Sequence, residues 1–242
     1  MSVTPGFVNH RLGLTEGERD AILRPMELTW LGLSCFRIRS REAAILTDPF
    51  PKTGGLSMGR PAADIVTVSC AHPDHSYVGG VTGSPLVIWG PGEYESAGIL
   101  ITGIATNSDK GRGKDGKNTA YVIELEGMRV CHLGRLAQVP SADQAETMSN
   151  VDLLLVPIGG QGALDAAAAA ETVSLLEPRM IVPMHYAVPG SDLKLDGIDR
   201  FLREMGASPS EPQPRLTVTH TTLPAESQIV LLDHTAPRKT PK

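Results

Sequence analysis

Apolar residues in the first part of the chain form short runs rich in β-branched and aromatic side chains, a pattern typical of strands. Three runs, at 26–33, 35–40 and 43–48, are separated by only one or two residues, so a hairpin or meander is predicted. The next run, 64–69, is almost continuously apolar, which indicates a strand buried on both faces. Four further strand-like runs follow up to about residue 134: PLVIWG, GILITGI, TAYVIELEG and MRVCHLG.

Beyond this point helical and strand-like patterns alternate. A helix is predicted at 141–148, followed by the buried strand VDLLLVPIGG. The alanine-rich segment LDAAAAAETVSLLEP predicts a second helix, with Asp165 capping its amino end and Pro178 following its carboxyl end. The strand RMIVPMHY, a helix over 195–205 and the closing strands RLTVTHT and SQIVLLD complete the pattern. This order predicts an α/β or mixed α+β class, with sheets inside and helices outside.

The length of 242 residues and the absence of an obvious repeat favour a single domain, predicted to span 26–235. Residues 1–25 are predicted to form a loose N-terminal extension, and 236–242 a flexible tail. The segment 108–117, SDKGRGKDGK, carries four basic residues and is predicted to be a mobile loop. Separately, the glycines of GPGEYE at 90–95 are predicted to mark a tight backbone turn.

The amino-acid composition limits the classes of partner that we expect for this chain. Hydrophobic residues make up 41% of the chain, charged residues 20%, and the net charge is −5, so no polyanion-binding signature is present and nucleic acid is not an expected partner. No apolar run approaches the roughly 18 residues of a membrane helix, and the N-terminus lacks the apolar region of a signal peptide. Three cysteines, Cys35, Cys70 and Cys131, without CxxC spacing fit a reducing compartment. We therefore expect a cytoplasmic location and no membrane partner.

The candidate chemistry lies in SCAHPDH, residues 69–75, where His72, Asp74 and His75 share a loop directly after a strand. Imidazole and carboxylate groups together suit zinc, manganese or iron, and a catalytic zinc takes three protein ligands and leaves a position for water. His185, at the end of RMIVPMHY, is a further candidate because a strand-end histidine points to the same rim. The alternative is that these histidines only form hydrogen bonds in a polar loop, but their density favours a site.

The order of several motifs resembles the metallo-β-lactamase fold superfamily, and within it the zinc-dependent hydrolase branch that includes ascorbate 6-phosphate lactonase-like proteins. The motifs are WLGLSCFRI, ILTDPF, HPDH, GPGEYE, GKNTAYVIELEGMRVCHLG, LLLVPIGG, LDAAAAAETV and IVPMHY. They span about residues 26–190. The resemblance implies a four-layer αβ/βα sandwich with a two-metal cleft at one edge of the paired sheets.

The resemblance also assigns roles to individual residues. His72, Asp74 and His75 match the second histidine, the aspartate and the final histidine of the family's metal loop, and His185 matches its late histidine ligand. Asp48, in ILTDPF, matches a family aspartate near this loop, where it is expected to orient a ligand or to serve as a turn residue.

Three other family ligand positions are altered: Cys70 replaces the first loop histidine, Asn107 a later histidine, and Arg135 the aspartate that bridges both metals. Arg135 is the largest departure, because a guanidinium stays protonated and has no lone pair to donate to a metal. We hypothesise that Arg135 replaces the metals and pairs with Asp74. Cys70 is interpreted as a small residue that fills vacated space, with a thiolate nucleophile activated by neighbouring histidines as the alternative.

These departures leave three functional classes open. The favoured one is a degenerate, hydrolase-like protein without a complete dinuclear site or cofactor, which binds a small-molecule ligand or a protein partner. The first alternative is an active metal-dependent hydrolase of an ester, lactone or phosphoester, with one zinc or manganese ion at Asp74, His75 and His185 and with Asp74 as the catalytic residue. The second is a structural or assembly subunit. Homo-oligomerisation is compatible with all three, and whether the chain is an enzyme stays open.

Overall fold

The computed structural model describes residues 24–107 and 116–234. The predicted extension at 1–25, apart from its last two residues, and the predicted tail at 236–242 therefore lie outside the described residues, as does most of the basic loop 108–117. The described chain forms two β-sheets that pack face to face.

The first sheet contains six strands: β1 (Met26–Gly32), β2 (Cys35–Arg39), β3 (Ala44–Thr47), β4 (Ile65–Val68), β5 (Leu86–Trp89) and β12 (Leu216–Val218). Their spatial order is β12-β1-β2-β3-β4-β5. The second sheet contains seven strands: β6 (Gly92–Ser96), β7 (Ile99–Asn107), β8 (Lys117–Leu125), β9 (Met128–His132), β10 (Leu153–Pro157), β11 (Met180–Met184) and β13 (Gln228–Ile229). Its order is β13-β11-β10-β9-β8-β7-β6.

Strand direction explains where a site can form. The antiparallel meander predicted for the first three strands is confirmed, and β3, β4 and β5 then run parallel to one another. In the second sheet β9, β10 and β11 are also parallel. Because parallel strands end at the same edge of a sheet, the segments that follow them are gathered there.

Three α-helices belong to the described chain: α1 (Ala142–Thr147), α2 (Ala166–Leu176) and α3 (Ile198–Glu204). The predicted cap of α2 is confirmed, since the Asp165 carboxylate accepts a hydrogen bond from the N–H of Ala168 at 3.0 Å. The predicted start of α3 at residue 195 is wrong. Asp196 instead bonds through its backbone to Gly159 and Ala187, which holds this stretch extended up to Gly197.

The sandwich fold predicted from the sequence is confirmed, with its main core between the sheets and α2 packed outside β10. Neighbouring residues of the first sheet face opposite ways: Ile65 joins the main core, whereas Val66 joins a second core on the outer face. This second core is covered in the described chain by non-helical segments that include Phe50 and Met58. None of the described helices has the length and apolar character needed to span a bilayer.

The predicted turn at GPGEYE is only partly right. Gly90 turns the chain with a φ of 100°, but residues 92–96 form β6, which pairs with β7 through Tyr94 opposite Ile101. β6 is an edge strand with largely exposed, polar positions, so it lacks the apolar alternation by which strands are recognised in a sequence.

Candidate functional site

The residues singled out from the sequence lie at one edge of the sandwich, beyond the carboxyl ends of parallel strands. Asp48 follows β3, the loop 69–75 follows β4, Arg135 follows β9 and His185 follows β11. The N–H of His185 donates to the carbonyl of Leu33 at 3.0 Å, which ties the second sheet to the first at this edge. Both sheets therefore contribute to one cluster of polar side chains.

The innermost contact of the cluster joins Asp48 to His75, and neither side chain is exposed to solvent. Oδ2 of Asp48 lies 2.7 Å from Nδ1 of His75. The N–H and hydroxyl of Ser69 donate to the same carboxylate at 2.7 and 2.6 Å. Burial alone would raise the pKa of Asp48, but the charge and hydrogen bond of His75, with help from His132 and Ser69, lower it. The expected contact of Asp48 with the histidine loop is thus present.

Three imidazole rings lie side by side in the cluster. The ring of His75 stacks on that of His185 with centroids 5.6 Å apart, and the ring of His72 meets His75 edge-on at 5.9 Å. Nδ1 of His75 is occupied by Asp48, and its Nε2 is buried without a hydrogen-bond partner among the described residues. Nδ1 of His185 is buried and unpartnered in the same way. Such neighbouring unsatisfied atoms indicate a place where a ligand or ion completes the bonding.

Burial and nearby positive charge keep His185 neutral. Desolvation, His75 and Arg135 together lower the pKa of His185 to about 3. The pKa of His72 is also lowered, by desolvation, Arg135 and His75 against the opposing charge of Asp74. The two histidines therefore lie within the electrostatic reach of Arg135.

His72 and Asp74 interact with each other at the rim of the cluster. Nδ1 of His72 accepts a hydrogen bond from the N–H of Asp74 at 3.3 Å and caps the short 3-10 helix Pro73–His75. The Asp74 carboxylate lies 3.9 Å from the same nitrogen. Across the described chain, no three or more His, Cys, Asp or Glu side chains are arranged to hold a metal ion.

Arg135 is anchored by the loop that follows β10. Its Nη2 donates to the carbonyl of Gln161 at 2.7 Å, and its backbone N–H donates to Oδ1 of Asn118 at 2.8 Å. Gly162 has a φ of 90°, and a Cβ there would lie 2.4 Å from Nη2, so the guanidinium occupies space that a side chain would fill. The predicted ion pair with Asp74 is wrong: within the described chain, the carbonyl of Gln161 receives the guanidinium instead.

The other two altered positions differ in environment. Cys70 is 3% exposed, and burial together with Asp48 raises the pKa of its thiol to about 11. A protonated, buried thiol fits the space-filling interpretation and is a poor nucleophile. Asn107 ends β7 with an exposed side chain, and its carbonyl accepts a hydrogen bond from Ala137 at 3.0 Å.

Two residues that were not predicted from the sequence, Ser69 and Asn118, hold other residues of the site in place through hydrogen bonds. Ser69 holds the Asp48 carboxylate, and Asn118 joins three segments by donating to Thr106 Oγ1 at 2.7 Å and to the carbonyl of Leu133 at 3.0 Å while accepting from Arg135. The sequence does contain a sign of this role of Asn118: a polar amide side chain stands at the start of a strand that is otherwise almost wholly buried, and a buried amide needs hydrogen-bond partners.

Comparisons with known proteins agree with this geometry. The profile of the beta-lactamase superfamily domain matches residues 27–185. A crystal structure of a candidate Zn-dependent hydrolase of the metallo-β-lactamase superfamily from Thermotoga maritima is 34% identical, with a TM-score of 0.71, and the alignment covers 86% of this chain and 98% of that protein. The chain therefore belongs to the metallo-β-lactamase superfamily.

Similar proteins from archaea belong to a group named UPF0173. A UPF0173 metal-dependent hydrolase of Thermococcus onnurineus is 28% identical over 190 residues, which cover 66% of this chain and 84% of the relative. A UPF0173 protein of Pyrococcus furiosus is 30% identical over 189 residues, which cover 66% of this chain and 83% of that protein. The first of these names describes a metal-dependent hydrolase, the second names no activity, and neither specifies a substrate.

Proposed function

We propose that this chain keeps the metallo-β-lactamase fold without assembling a dinuclear metal centre, and that its cleft binds a small ligand carrying a negative charge. The observation that carries the proposal is Arg135. It stands where the family resemblance places the bridging aspartate, and the carbonyl of Gln161 anchors its guanidinium. A permanent cation at this position repels a divalent ion and supplies no lone pair.

The residues at the three altered family ligand positions also argue against a two-metal centre. A two-metal centre in this fold needs the positions of Cys70, Asn107 and Arg135 as ligands. The thiol of Cys70 is held protonated by burial, and an asparagine amide binds zinc weakly compared with imidazole. The residues present therefore do not fit a two-metal centre.

The remaining groups suit an anionic ligand. The planar guanidinium of Arg135 matches a carboxylate or phosphate in geometry and charge. Beside it, Nε2 of His75 and Nδ1 of His185 are buried and unpartnered, so they offer hydrogen bonds to a ligand that reaches past the rim. His72 is exposed at the entrance, where it can contact the same ligand.

A second candidate is a hydrolase that uses one metal ion. The observation in its favour is the pair formed by His75 and Asp48, because a carboxylate that holds Nδ1 and leaves Nε2 free is the usual support of a metal-binding histidine. In this candidate His75 and His185 would hold the ion with Asp74 as third ligand, and these side chains would have to move, because no three such groups of the described chain are arranged to hold a metal. A bound ion would supply a water of lowered pKa for hydrolysis. The relatives described as metal-dependent hydrolases support this alternative.

The test compares wild type with Arg135→Gln in a thermal-shift screen of small carboxylates and phosphates, each at fixed ionic strength with and without zinc. The proposal predicts metal-independent stabilisation by at least one anion, which Arg135→Gln abolishes. A control, Arg215→Gln, removes an exposed arginine on the first sheet and is expected to keep the response. Stabilisation only with zinc, accompanied by ester or lactone hydrolysis, would favour the second candidate. The absence of any stabilising anion would favour a structural role.

A further inference from the structure

A polar cavity lies at the opposite end of the first sheet from the histidine cluster. Its volume is about 400 Å³. It is bounded by the turn between β2 and β3 and by residues that precede β4 and β5, so it lies at the amino ends of β3, β4 and β5. The histidine cluster lies at their carboxyl ends, and the two sites share no residue.

Three arginines line this cavity. Arg37 and Arg39 occupy alternate positions of β2 and therefore project from the same face, while Phe36 and Ile38 between them enter the main core. Arg41 follows in the turn that leads to β3. The cavity thus brings three positive charges together on the outer face of the sheet.

The nearest carboxylates are engaged with other groups. Glu27, opposite Arg39 on β1, forms an ion pair with Arg215 at 3.1 Å. Glu42 pairs with Arg24 at 3.1 Å. Asp64, which lines the cavity, accepts a hydrogen bond from the N–H of Ala44 at 2.8 Å.

The cavity arginines themselves lack such partners. Within the described residues, no ion pair involves Arg37, Arg39 or Arg41, and Nε of Arg37 is buried without a hydrogen-bond partner. Desolvation and the charge of Arg39 lower the pKa of Arg37, against the opposing charges of Glu27 and Asp64. An anion placed among these groups would satisfy the buried N–H and relieve the repulsion between neighbouring guanidinium groups.

We infer that this cavity is a binding site for a phosphate group, either free or carried by a small organic molecule. Guanidinium groups bind phosphate through paired, charge-assisted hydrogen bonds, and the three here outnumber the carboxylates of Glu42 and Asp64 that also line the cavity. Ser40, Thr82 and Ser84 also line the cavity. Its volume lies within the range of small-molecule sites and leaves room for an organic portion beside the phosphate.

The test is isothermal titration calorimetry of the full chain with inorganic phosphate and with ribose 5-phosphate, at an ionic strength held constant with sodium chloride. Arg37→Gln/Arg39→Gln is expected to weaken binding about tenfold or more, because each lost guanidinium removes charge-assisted hydrogen bonds. The matched control is Arg200→Gln/Arg203→Gln, which removes the same charge from exposed positions of α3 and is expected to change the affinity less than about twofold.

Stronger binding of ribose 5-phosphate than of inorganic phosphate would identify an organic phosphate as the ligand, and equal binding would identify free phosphate. Both ligands are also titrated into Arg135→Gln with and without Arg37→Gln/Arg39→Gln, because Arg135→Gln removes the guanidinium of the other proposed anion site and leaves the cavity as the site being measured. If the melting temperature of Arg37→Gln/Arg39→Gln falls in sodium chloride alone, Arg39→Gln/Arg41→Gln replaces it in the comparison. Absence of binding to wild type, or equal loss in the control on α3, would overturn the inference.

Discussion

Oδ2 of Asp48 lies 2.7 Å from Nδ1 of His75, and both side chains are fully buried. The contact joins the end of β3 to the loop after β4, and Ser69 donates two further hydrogen bonds to the carboxylate. Asp48 has a φ of 38°, a left-handed conformation that aspartate adopts more readily than most residues. The polar cluster therefore rests on a buried contact between a carboxylate and an imidazole, and the backbone helps to fix its geometry.

Replacing Asp48 by asparagine is expected to destabilise the fold by about 1–3 kcal/mol, because it removes the buried carboxylate that contacts His75 and accepts two hydrogen bonds from Ser69. Urea denaturation measures the change. The exposed pair between Glu27 and Arg215 provides the control, since Glu27→Gln is expected to cost less than about 1 kcal/mol. Equal losses in the two variants would contradict the importance given to the buried pair.

Stability is expected to fall as the pH is lowered from about 6.5, because His185 stays neutral in the fold. Its pKa is lowered to about 3 in the folded chain, whereas an unfolded histidine titrates near 6.5. Between these values the unfolded chain binds a proton that the folded chain does not, so the free energy of unfolding declines by up to about 1.4 kcal/mol per pH unit.

Urea denaturation between pH 4.5 and about 7 tests this slope. Asp48, whose pKa is lowered, contributes stability that is lost only below the usual aspartate pKa of about 4, so this window isolates the histidines. The variant His185→Gln is expected to reduce the slope, and buried His132, whose pKa is also lowered, accounts for part of what remains. An unchanged slope in His185→Gln would contradict the assignment.

Arg135→Gln is expected to raise the pKa of His72, because the guanidinium charge contributes to its lowering. Histidine resonances followed by NMR across a pH titration give the value. Gly162→Ala should act in the same direction, since its Cβ would displace Nη2 of Arg135. Gly190→Ala is the matched control, because Gly190 also has a positive φ, of 82°, but no atom within 4 Å of the added Cβ. If the pKa of His72 is the same in Arg135→Gln as in the wild type, the guanidinium lies too far from the cluster to act on His72.

Cys70 is expected to react slowly with iodoacetamide at pH near 7.5, roughly two orders of magnitude below a free cysteine, because its thiol pKa is about 11. Peptide mapping by mass spectrometry gives its rate, and the same chain unfolded in urea provides the reference. Rapid labelling of Cys70 in the folded chain would revive the alternative of a nucleophilic thiolate.

Much of the fold follows from local pattern. The buried strand at 64–69 and the cap at Asp165 were readable because apolar runs and capping chemistry act over a few residues. β6 escaped prediction because an exposed edge strand needs no apolar face. The start of α3 depends on bonds from Asp196 to residues distant in sequence, which no local pattern encodes.

The site was predictable to a similar extent. The loop histidines and Asp48 stand at strand ends, so their proximity follows once the parallel strands are recognised. The direction of Arg135 does not follow, because it depends on Gln161, whose φ of 55° and carbonyl orientation are set by the fold of a glycine-rich loop. Pairing of Arg135 with Asp74 was the simplest expectation from charge, and the loop carbonyl takes that place.

Metal content per chain tests the proposed absence of a dinuclear centre most directly. Protein purified without an affinity tag or chelator is loaded with zinc or manganese, desalted and measured by inductively coupled plasma mass spectrometry. The triple variant Arg135→Asp/Cys70→His/Asn107→His serves as the positive comparison. We predict negligible metal in the wild type and retained metal in the triple variant, whereas a wild type that retains a full dinuclear complement would contradict the proposal.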